Sequence, residues 1–335
     1  MRVLLCGAGQ IGALHARNLA ASAAVSELVV ADVDPGRAAA LAAGSGGAAA
    51  PAGDPFGVRP DAVVIAAATP AHAGLVRECL ERGIPCFCEK PLSADVDETV
   101  ALVREAEAAG AVVQVGFMRR FDPGLRELRE LITGGGLGRV HTIHVASHDH
   151  EPPPEEYVAR SGGMFRDQLI HDFDMIRWVT AAEVATVYAA GAVRAIPFAA
   201  RHGDVDTCAL VLVMDGGELV LVAGTREDGR GEDVRIEAVG SQDSAAAGLN
   251  ARTPLRLLDP LGVEPGHRPY DSAFDRFAAG YVAEIEHFLA LVAGRGENPC
   301  PPRDALGTLL VAEAAERSRA ANAPVAVRRA ADLLD

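Results

Sequence analysis

The sequence contains no apolar run that reaches the ~18 residues of a membrane-spanning helix, so no membrane partner is expected. Its first residues, Met1-Arg-Val-Leu-Leu-Cys-Gly7, lack the apolar core and cleavage site of a secretory leader, and a cytoplasmic location is expected. Cysteine is sparse. Cys6, Cys79, Cys86, Cys88, Cys208 and Cys300 form no C-x-x-C pair, which excludes a disulfide scaffold. Cys6, Cys86 and Cys88 fall in apolar strands and read as small core residues rather than redox groups. Positive charge is in deficit: 31 Lys and Arg stand against 46 Asp and Glu, a net charge of −15. With a pI near 5.1, that argues against nucleic acid and anionic lipid as partners. No internal repeat is visible. What remains is a 335-residue chain, 49% hydrophobic, long enough for two domains with substantial cores.

The first 120 residues carry an alternation of strand and helix signals. Arg2 to Cys6 is a short apolar strand, followed at once by Gly7-Ala-Gly9-Gln10-Ile11-Gly12 and a helical stretch to Ala21. In this strand–turn–helix setting the first glycine permits a tight turn, the second lets a pyrophosphate approach the backbone, and the third lets the helix pack on the strand. The helix N-terminus adds N–H groups and a positive dipole end. A second strand, Glu27 to Ala31, ends in Asp32, whose carboxylate suits the ribose hydroxyls of an adenosine and repels a 2′-phosphate. NAD is therefore expected over NADP. Arg37 would soften that preference if it faced the ribose, and is otherwise a solvated residue of the next helix. Residues 38–53 are almost all Ala, Gly and Pro, a helix continued from Pro35 and then a loop. Asp61 to Ala68 and Ile84 to Cys88 read as buried parallel strands. They deliver Thr69-Pro-Ala-His72 and Glu89-Lys90-Pro91 to the C-terminal rim, where open parallel sheets bind ligands. His72 either touches a cofactor or sits in the first turn of helix 71–82, which Gly83 ends. Asp95 and Glu98 have capping-box spacing at the start of helix 95–109. Strand 112–117 leads to Met118-Arg119-Arg120-Phe121-Asp122-Pro123.

Ser161 to Trp178 predicts one helix entered through Gly162-Gly163. Leu169, Phe173 and Ile176 recur at apolar helical spacing, and Asp167, His171 and Asp174 share another face. A carboxylate one turn before an imidazole holds its tautomer and raises its basicity, as a general base requires. The same residues also read as a solvated polar stripe. A metal is not expected, because no third ligand stands at a matching spacing.

From Arg139 the period changes to two. Val140–Ser147, Val184–Val193, Asp206–Met214, Glu218–Arg226 and Val234–Gly240 read as consecutive strands, with a hairpin turn at Met214-Asp-Gly-Gly217. Strands without intervening helices predict a mainly antiparallel sheet with helices on one face. His141 and His144 read as sheet-surface residues. Residues 245–270 form an irregular connection, and helices are expected over 272–293 and 303–321. The expected fold is thus α/β plus α+β. A doubly wound Rossmann domain spans 1–120, and a substrate-binding and oligomerisation domain spans 121–335.

The glycine turn, Glu89-Lys90-Pro91, Gly116-Phe-Met-Arg-Arg-Phe-Asp-Pro123 and Phe165-Arg-Asp-Gln-Leu-Ile-His-Asp-Phe-Asp174 occur in an order that resembles the Gfo/Idh/MocA oxidoreductases, and among them the inositol 2-dehydrogenase group. Weaker similarity continues through Tyr281-Val-Ala-Glu-Ile-Glu-His-Phe288 to Pro324-Val-Ala-Val327. The resemblance implies hydride transfer from a cyclic polyol or sugar carbon to a nicotinamide, with Lys90, Asp167 and His171 as the catalytic triad. It implies cofactor contacts from Gly7, Gly9, Gln10, Ile11, Gly12, Asp32, Thr69, His72, Glu89, Lys90 and Arg119. Substrate contacts would come from Lys90, Met118, His148, His150, Asp167 and His171. It also implies a homotetramer or homodimer paired through the second sheet. Two positions depart from the family's pattern: His150 stands where asparagine is frequent, and residues 227–233 contain Arg230 and Glu232 but no tyrosine. Both bear on which polyol fits. Other readings within the family are an NADP-using sugar oxidoreductase and a glycosidase that keeps its NAD.

Overall fold

The computed structural model describes every residue except 52, 257 and 259–266. It divides into two compact units: 1–118 with 279–307 and 330–335, and 119–278 with 308–329. The expected continuous second domain over 121–335 is therefore interrupted, because two later segments pack with the first unit.

The first unit begins with β1 (Arg2–Cys6), α1 (Gln10–Ala21), β2 (Glu27–Ala31), α2 (Pro35–Gly44) and β3 (Ala48–Ala49). It continues with β4 (Ala62–Ile65), α3 (Thr69–Arg82), β5 (Cys86–Glu89), α4 (Val96–Ala108) and β6 (Val113–Gly116). All six strands are parallel, in the order β3-β2-β1-β4-β5-β6. β1 sits between β2 and β4, so the order reverses there and opens a crevice at the strands' C-terminal ends. β4 and β5 are buried throughout, as strands covered on both faces must be. The short β3 lies within the stretch expected to be loop. α3 ends where Gly83 turns left-handed at φ 66°. At α4 the expected reciprocal box is only half formed. Asp95 accepts from the Glu98 N–H at 2.8 Å, but the Glu98 carboxylate takes the Ser93 hydroxyl instead, at 2.6 Å. The core joins Val3, Leu5, Leu19, Val30 and Val64 to Ile285, Phe288 and Leu289 from the later segment. That segment is also stitched to β6: Asn298 donates to the Val113 carbonyl at 2.7 Å, and the Val115 N–H donates to the Cys300 carbonyl at 2.9 Å.

The second half of the chain contains α5 (Pro123–Thr133), β7 (Val140–His148), α6 (Glu155–Val158), α7 (Met164–Asp167) and α8 (Ile170–Thr180). There follow β8 (Val184–Ala192), β9 (Thr207–Met214), β10 (Leu219–Thr225), β11 (Asp233–Gly240) and β12 (Ser244–Ala247). The last elements are α9 (Ala273–Arg276), α10 (Ala278–Val292), α11 (Pro302–Ala321), β13 (Val325–Ala326) and α12 (Ala330–Leu334). The seven-stranded sheet runs β12-β11-β7-β10-β9-β8-β13. Its pairs are antiparallel except β7 with β10. Alternation buries Leu210, Leu212, Val220 and Val222 on one face and leaves Val211, Leu219 and Leu221 exposed on the other. The helix expected over 272–293 is split into α9 and α10. Part of the expected 245–270 connection lies outside the described residues, and its start belongs to β12.

The single helix expected over 161–178 is two. Gly162 and Gly163 take φ values of 83° and 91°, which only glycine adopts freely, and release α7 from the preceding loop. Between α7 and α8 the Leu169 N–H reaches back five residues to the Met164 carbonyl at 3.0 Å. Gln168 and Leu169 remain right-handed, so Asp167 and His171 stay about one turn apart across the kink.

Candidate active site

In the first unit the glycine turn is built as the motif requires. A Cβ on Gly7 (φ 114°) would stand 2.3 Å from the Ala66 carbonyl oxygen, and one on Gly12 would stand 2.1 Å from the Gly7 carbonyl oxygen. Neither fits. Gly9 differs: its nearest neighbour would be an Arg37 guanidinium nitrogen at 3.9 Å, so the space before α1 is open. Among the described residues no side chain caps α1, which leaves its leading N–H groups, at Gln10 and Ile11, to an anion. This arrangement fits a dinucleotide pyrophosphate. Asp32 sits beside it at the end of β2, accepting the Ala8 N–H at 2.7 Å and the Asp34 N–H at 2.9 Å.

The β4 and β5 ends are tied together. Buried His72 faces the Pro91 carbonyl at 2.7 Å and the Ala67 carbonyl at 3.0 Å. Both ring nitrogens thus meet backbone of the two rim turns, so His72 braces them. Thr69 opens α3 half-buried at the same rim. Glu89 turns inward: its carboxylate is 2.7 Å from His15 Nε2 and accepts the Lys90 N–H at 3.3 Å. The reason is its place as the last residue of β5, one position beyond the expected strand end. Lys90 follows, half-buried, with a cis bond to Pro91. It is the only lysine in the chain; the other thirty Lys or Arg residues are arginine. Met118, buried, closes this part of the unit.

In the second unit Asp167 is held from two sides. The Tyr157 hydroxyl donates to Oδ1 at 2.6 Å, and Arg226 donates to Oδ2 at 3.2 Å. Burial and the neighbouring carboxylate hold the Tyr157 phenol above its ordinary value, so it stays a donor. Arg226 is almost wholly buried and also lies 3.6 Å from Asp204. Half-buried His171 enters α8 four residues after Asp167. Asp174, grouped with them on spacing, instead takes Arg120 at 2.5 and 2.9 Å, buried and away from solvent. Arg119 pairs with Asp172 and stacks 5.2 Å from the Phe277 ring centre. Burial raises the Asp172 carboxyl above its usual range against the pull of Arg119.

His148 and His150 lie together at the end of β7, near Asp228. His150 Nδ1 is 2.9 Å from the Asp228 carbonyl, and His148 Nδ1 is 3.8 Å from its carboxylate. Glu232 is buried and accepts the His150 N–H at 3.0 Å. Burial pushes both the Glu232 and the Asp149 carboxyls up, and Glu232 adds to the effect on Asp149. Arg230 is exposed and donates to the Pro254 carbonyl at 3.0 Å. Sequence reasoning missed Tyr157, Arg226 and the inward Glu89. One signal was available for Arg226: it continues the inward-facing series Val220, Val222, Gly224, where a charge is out of place.

The description of an NAD-binding Rossmann oxidoreductase family matches residues 1–117, and the GFO/IDH/MocA C-terminal domain matches residues 125–246. The chain belongs to the GFO/IDH/MocA oxidoreductase family. Family membership makes it an oxidoreductase with an NAD-binding domain. Among its relatives is the myo-inositol dehydrogenase Hyg17 of Streptomyces leeuwenhoekii, 38% identical over 95% of this chain and 97% of its own. The myo-inositol 2-dehydrogenase of Thermotoga maritima is 33% identical over 95% of this chain and 96% of its own. The structure of a myo-inositol dehydrogenase from Corynebacterium glutamicum superposes with a TM-score of 0.87 at 32% identity, covering 98% of this chain and 99% of that one.

Proposed function

We propose that this protein oxidises a secondary hydroxyl of an inositol-like cyclic polyol to a ketone, with NAD as hydride acceptor. The observation that carries the reading is the placement of the chain's only lysine at the C-terminal rim of the parallel sheet, one residue past β5 and on the same edge as the glycine turn that follows β1. An arginine stays protonated and presents a broad planar fork. An ammonium is compact and hydrogen-bonds a single alkoxide oxygen. The relatives named for inositol supply the substrate class.

Bound NAD supplies the hydride acceptor, held by the Gly7–Gly12 turn, the α1 N-terminus and Asp32. Lys90 holds the substrate oxygen and stabilises its developing negative charge. His171 takes the hydroxyl proton as general base, and Asp167 orients the imidazole and favours its protonated form. Tyr157 and Arg226 hold Asp167 through its two carboxylate oxygens. His148, His150 and Met118 contact the polyol. We assign Arg119 to the nicotinamide end, steadied by Asp172. The exposed Val211, Leu219, Leu221 and Val239 support pairing of the open sheet face with a second copy, as a homodimer or homotetramer. The acidic chain and the absence among the described residues of any helix able to cross a membrane support a cytoplasmic site of action.

The test is a panel of inositols and sugars with NAD and with NADP, followed at the absorbance band of the reduced nicotinamide. Accumulation of free NADH with a cyclic polyol is expected. Cleavage of a glycoside without NADH accumulation would replace the reading with the NAD-retaining glycosidase. Lys90→Arg, Lys90→Ala and His171→Ala should each lower turnover by at least about a hundredfold, the usual worth of a proton-transfer or oxyanion group. NAD affinity should remain within about threefold, because none of the three shapes the pyrophosphate turn. Collapse of NAD binding with turnover would refute these roles.

A further inference from the structure

Beneath the Glu89-Lys90-Pro91 turn, three ionisable side chains of the first unit are packed out of solvent. His15 of α1, Glu89 of β5 and Glu284 of α10 are 0%, 7% and 0% exposed. One donor or acceptor atom from each lies within 4.8 Å of the other two. His15 Nε2 is 2.7 Å from Glu89 Oε1, and its ring meets Phe87 and Tyr281 edge-on at 5.3 and 6.3 Å. Glu89 Oε2 accepts the Lys90 N–H. A Cβ on Gly116 would come within 3.0 Å of that same oxygen and 2.9 Å of the Phe87 ring, so the glycine leaves room for the carboxylate. Among the described residues, both Glu284 oxygens and His15 Nδ1 have no hydrogen-bond partner.

We propose that His15 and Glu284 are positioning residues for Lys90, which act by fixing the orientation and the single negative charge of Glu89 under the turn that presents the amine. Two ionised carboxylates at this separation, away from water, would repel by several kcal/mol, so they cannot both be charged. Burial, and then Glu89, push the Glu284 carboxyl well above its usual range. Glu284 is therefore the neutral acid and Glu89 the anion. The anion faces the imidazole on one side and the Lys90 N–H on the other, which sets the direction in which the chain leaves β5. A cation held by the three groups is the competing explanation. Two ligands of one ion stand about 3 Å or more apart. The His15–Glu89 contact is shorter and has the length of a hydrogen bond.

This inference rests on Lys90 meeting the reacting oxygen, and its test has a readout independent of turnover. With one lysine in the chain, reductive ¹³C-methylation gives one side-chain NMR signal beside that of the N-terminal amine. In His15→Phe and Glu284→Leu the Lys90 signal should shift. Their turnover number should fall by about tenfold or more, the worth of one hydrogen bond to a charged group. The NAD dissociation constant should stay within about threefold. His15→Gln and Glu284→Gln, which keep a neutral donor, should restore most of the lost turnover and the parental signal. An unmoved signal with unchanged turnover in both apolar variants overturns the proposal. So does a loss of NAD affinity equal to the loss of turnover, or a Glu284→Gln variant as impaired as Glu284→Leu. Stoichiometric divalent metal in the purified protein, absent from His15→Phe, would assign the cluster to a cation instead. If Lys90→Ala keeps full turnover, the catalytic reading fails by itself, while the NMR shift still reports whether the cluster positions the amine.

Discussion

Arg226→Met tests whether Asp167 owes its charge and orientation to a buried partner. The Arg226 side chain is 1% exposed and the Asp167 side chain 11%, so solvent screens their pairing little. Replacing the guanidinium with an apolar chain of similar length takes from Asp167 the buried cation on its Oδ2, while the Tyr157 hydroxyl stays on Oδ1, and takes from Asp204 its neighbour at 3.6 Å. Breaking a buried pair from one side costs roughly 3–5 kcal/mol, because the remaining charge has lost its compensation. For a domain of this size each kcal/mol moves the midpoint by about 2–4 °C, so Tm should fall by on the order of 10 °C. Turnover should fall as well, since Asp167, proposed to orient the base, is held less firmly. Calorimetry of the parent, Arg226→Met, Asp167→Asn and the double variant separates packing from charge. If uncompensated charge dominates, the double variant is more stable than the sum of the two losses predicts, by about 1 kcal/mol or more. A Tm within about 3 °C of the parent, or strictly additive losses, would refute the argument.

Asp32→Ala should lower the ratio of kcat/KM for NAD over NADP by about tenfold, through loss of the ribose acceptor and of the charge that repels a 2′-phosphate. Arg37, which already faces the Gly9 turn, would favour the phosphate, and an unchanged ratio would count against the ribose assignment. Asp206 gives a pH prediction. Burial alone would raise its carboxyl, but the N–H groups of Ile196, Arg194 and Ala195 and the Thr207 hydroxyl outweigh burial and hold it below the ordinary range. Its stabilisation is therefore complete above the ordinary carboxyl pKa of about 3.9 and is lost as pH falls through the lowered value. In urea melts, Asp206→Asn should be less stable than the parent at pH 7 and the gap should narrow toward pH 2; a constant gap would show that ionisation of Asp206 is not involved.

The features legible in the sequence are those whose causes are local. The glycine turn, the Gly83 stop and the two-residue period from Arg139 each follow from neighbours a few positions apart, and the strands that were expected lie within a few residues of their places, while the short β3, β12 and β13 were not expected. The misreadings have distant causes. Glu89 was expected at the rim for a cofactor, yet its partner His15 lies 74 residues earlier and turns the carboxylate inward. Asp174 shares a helical face with His171 on spacing alone, but Arg120, 54 residues away, claims it. The return of residues 279–307 to the first unit depends on bonds such as Gln114 to the Glu284 carbonyl, 170 residues apart, for which no periodicity gives a sign.

The distribution of basic residues joins these points to the chemistry. Ion pairs across the described surface, at Arg2, Arg77, Arg82 and Arg303, are made by guanidinium groups, which suit carboxylates because both are planar and fork-shaped. Buried pairs at Arg119, Arg120 and Arg226 use the same group, which holds its proton even without water. Each of these positions needs only a fixed positive charge. A group that must hold a reacting oxygen while a proton leaves it needs a small ammonium whose proton affinity answers to its surroundings. The chain has one ammonium side chain, at Lys90, the residue proposed for that role, and His15, Glu89 and Glu284 are packed together beneath its turn. A lysine needed only for charge would not require a buried cluster that costs stability, and fixing the direction of the amine gives that cost a physical explanation.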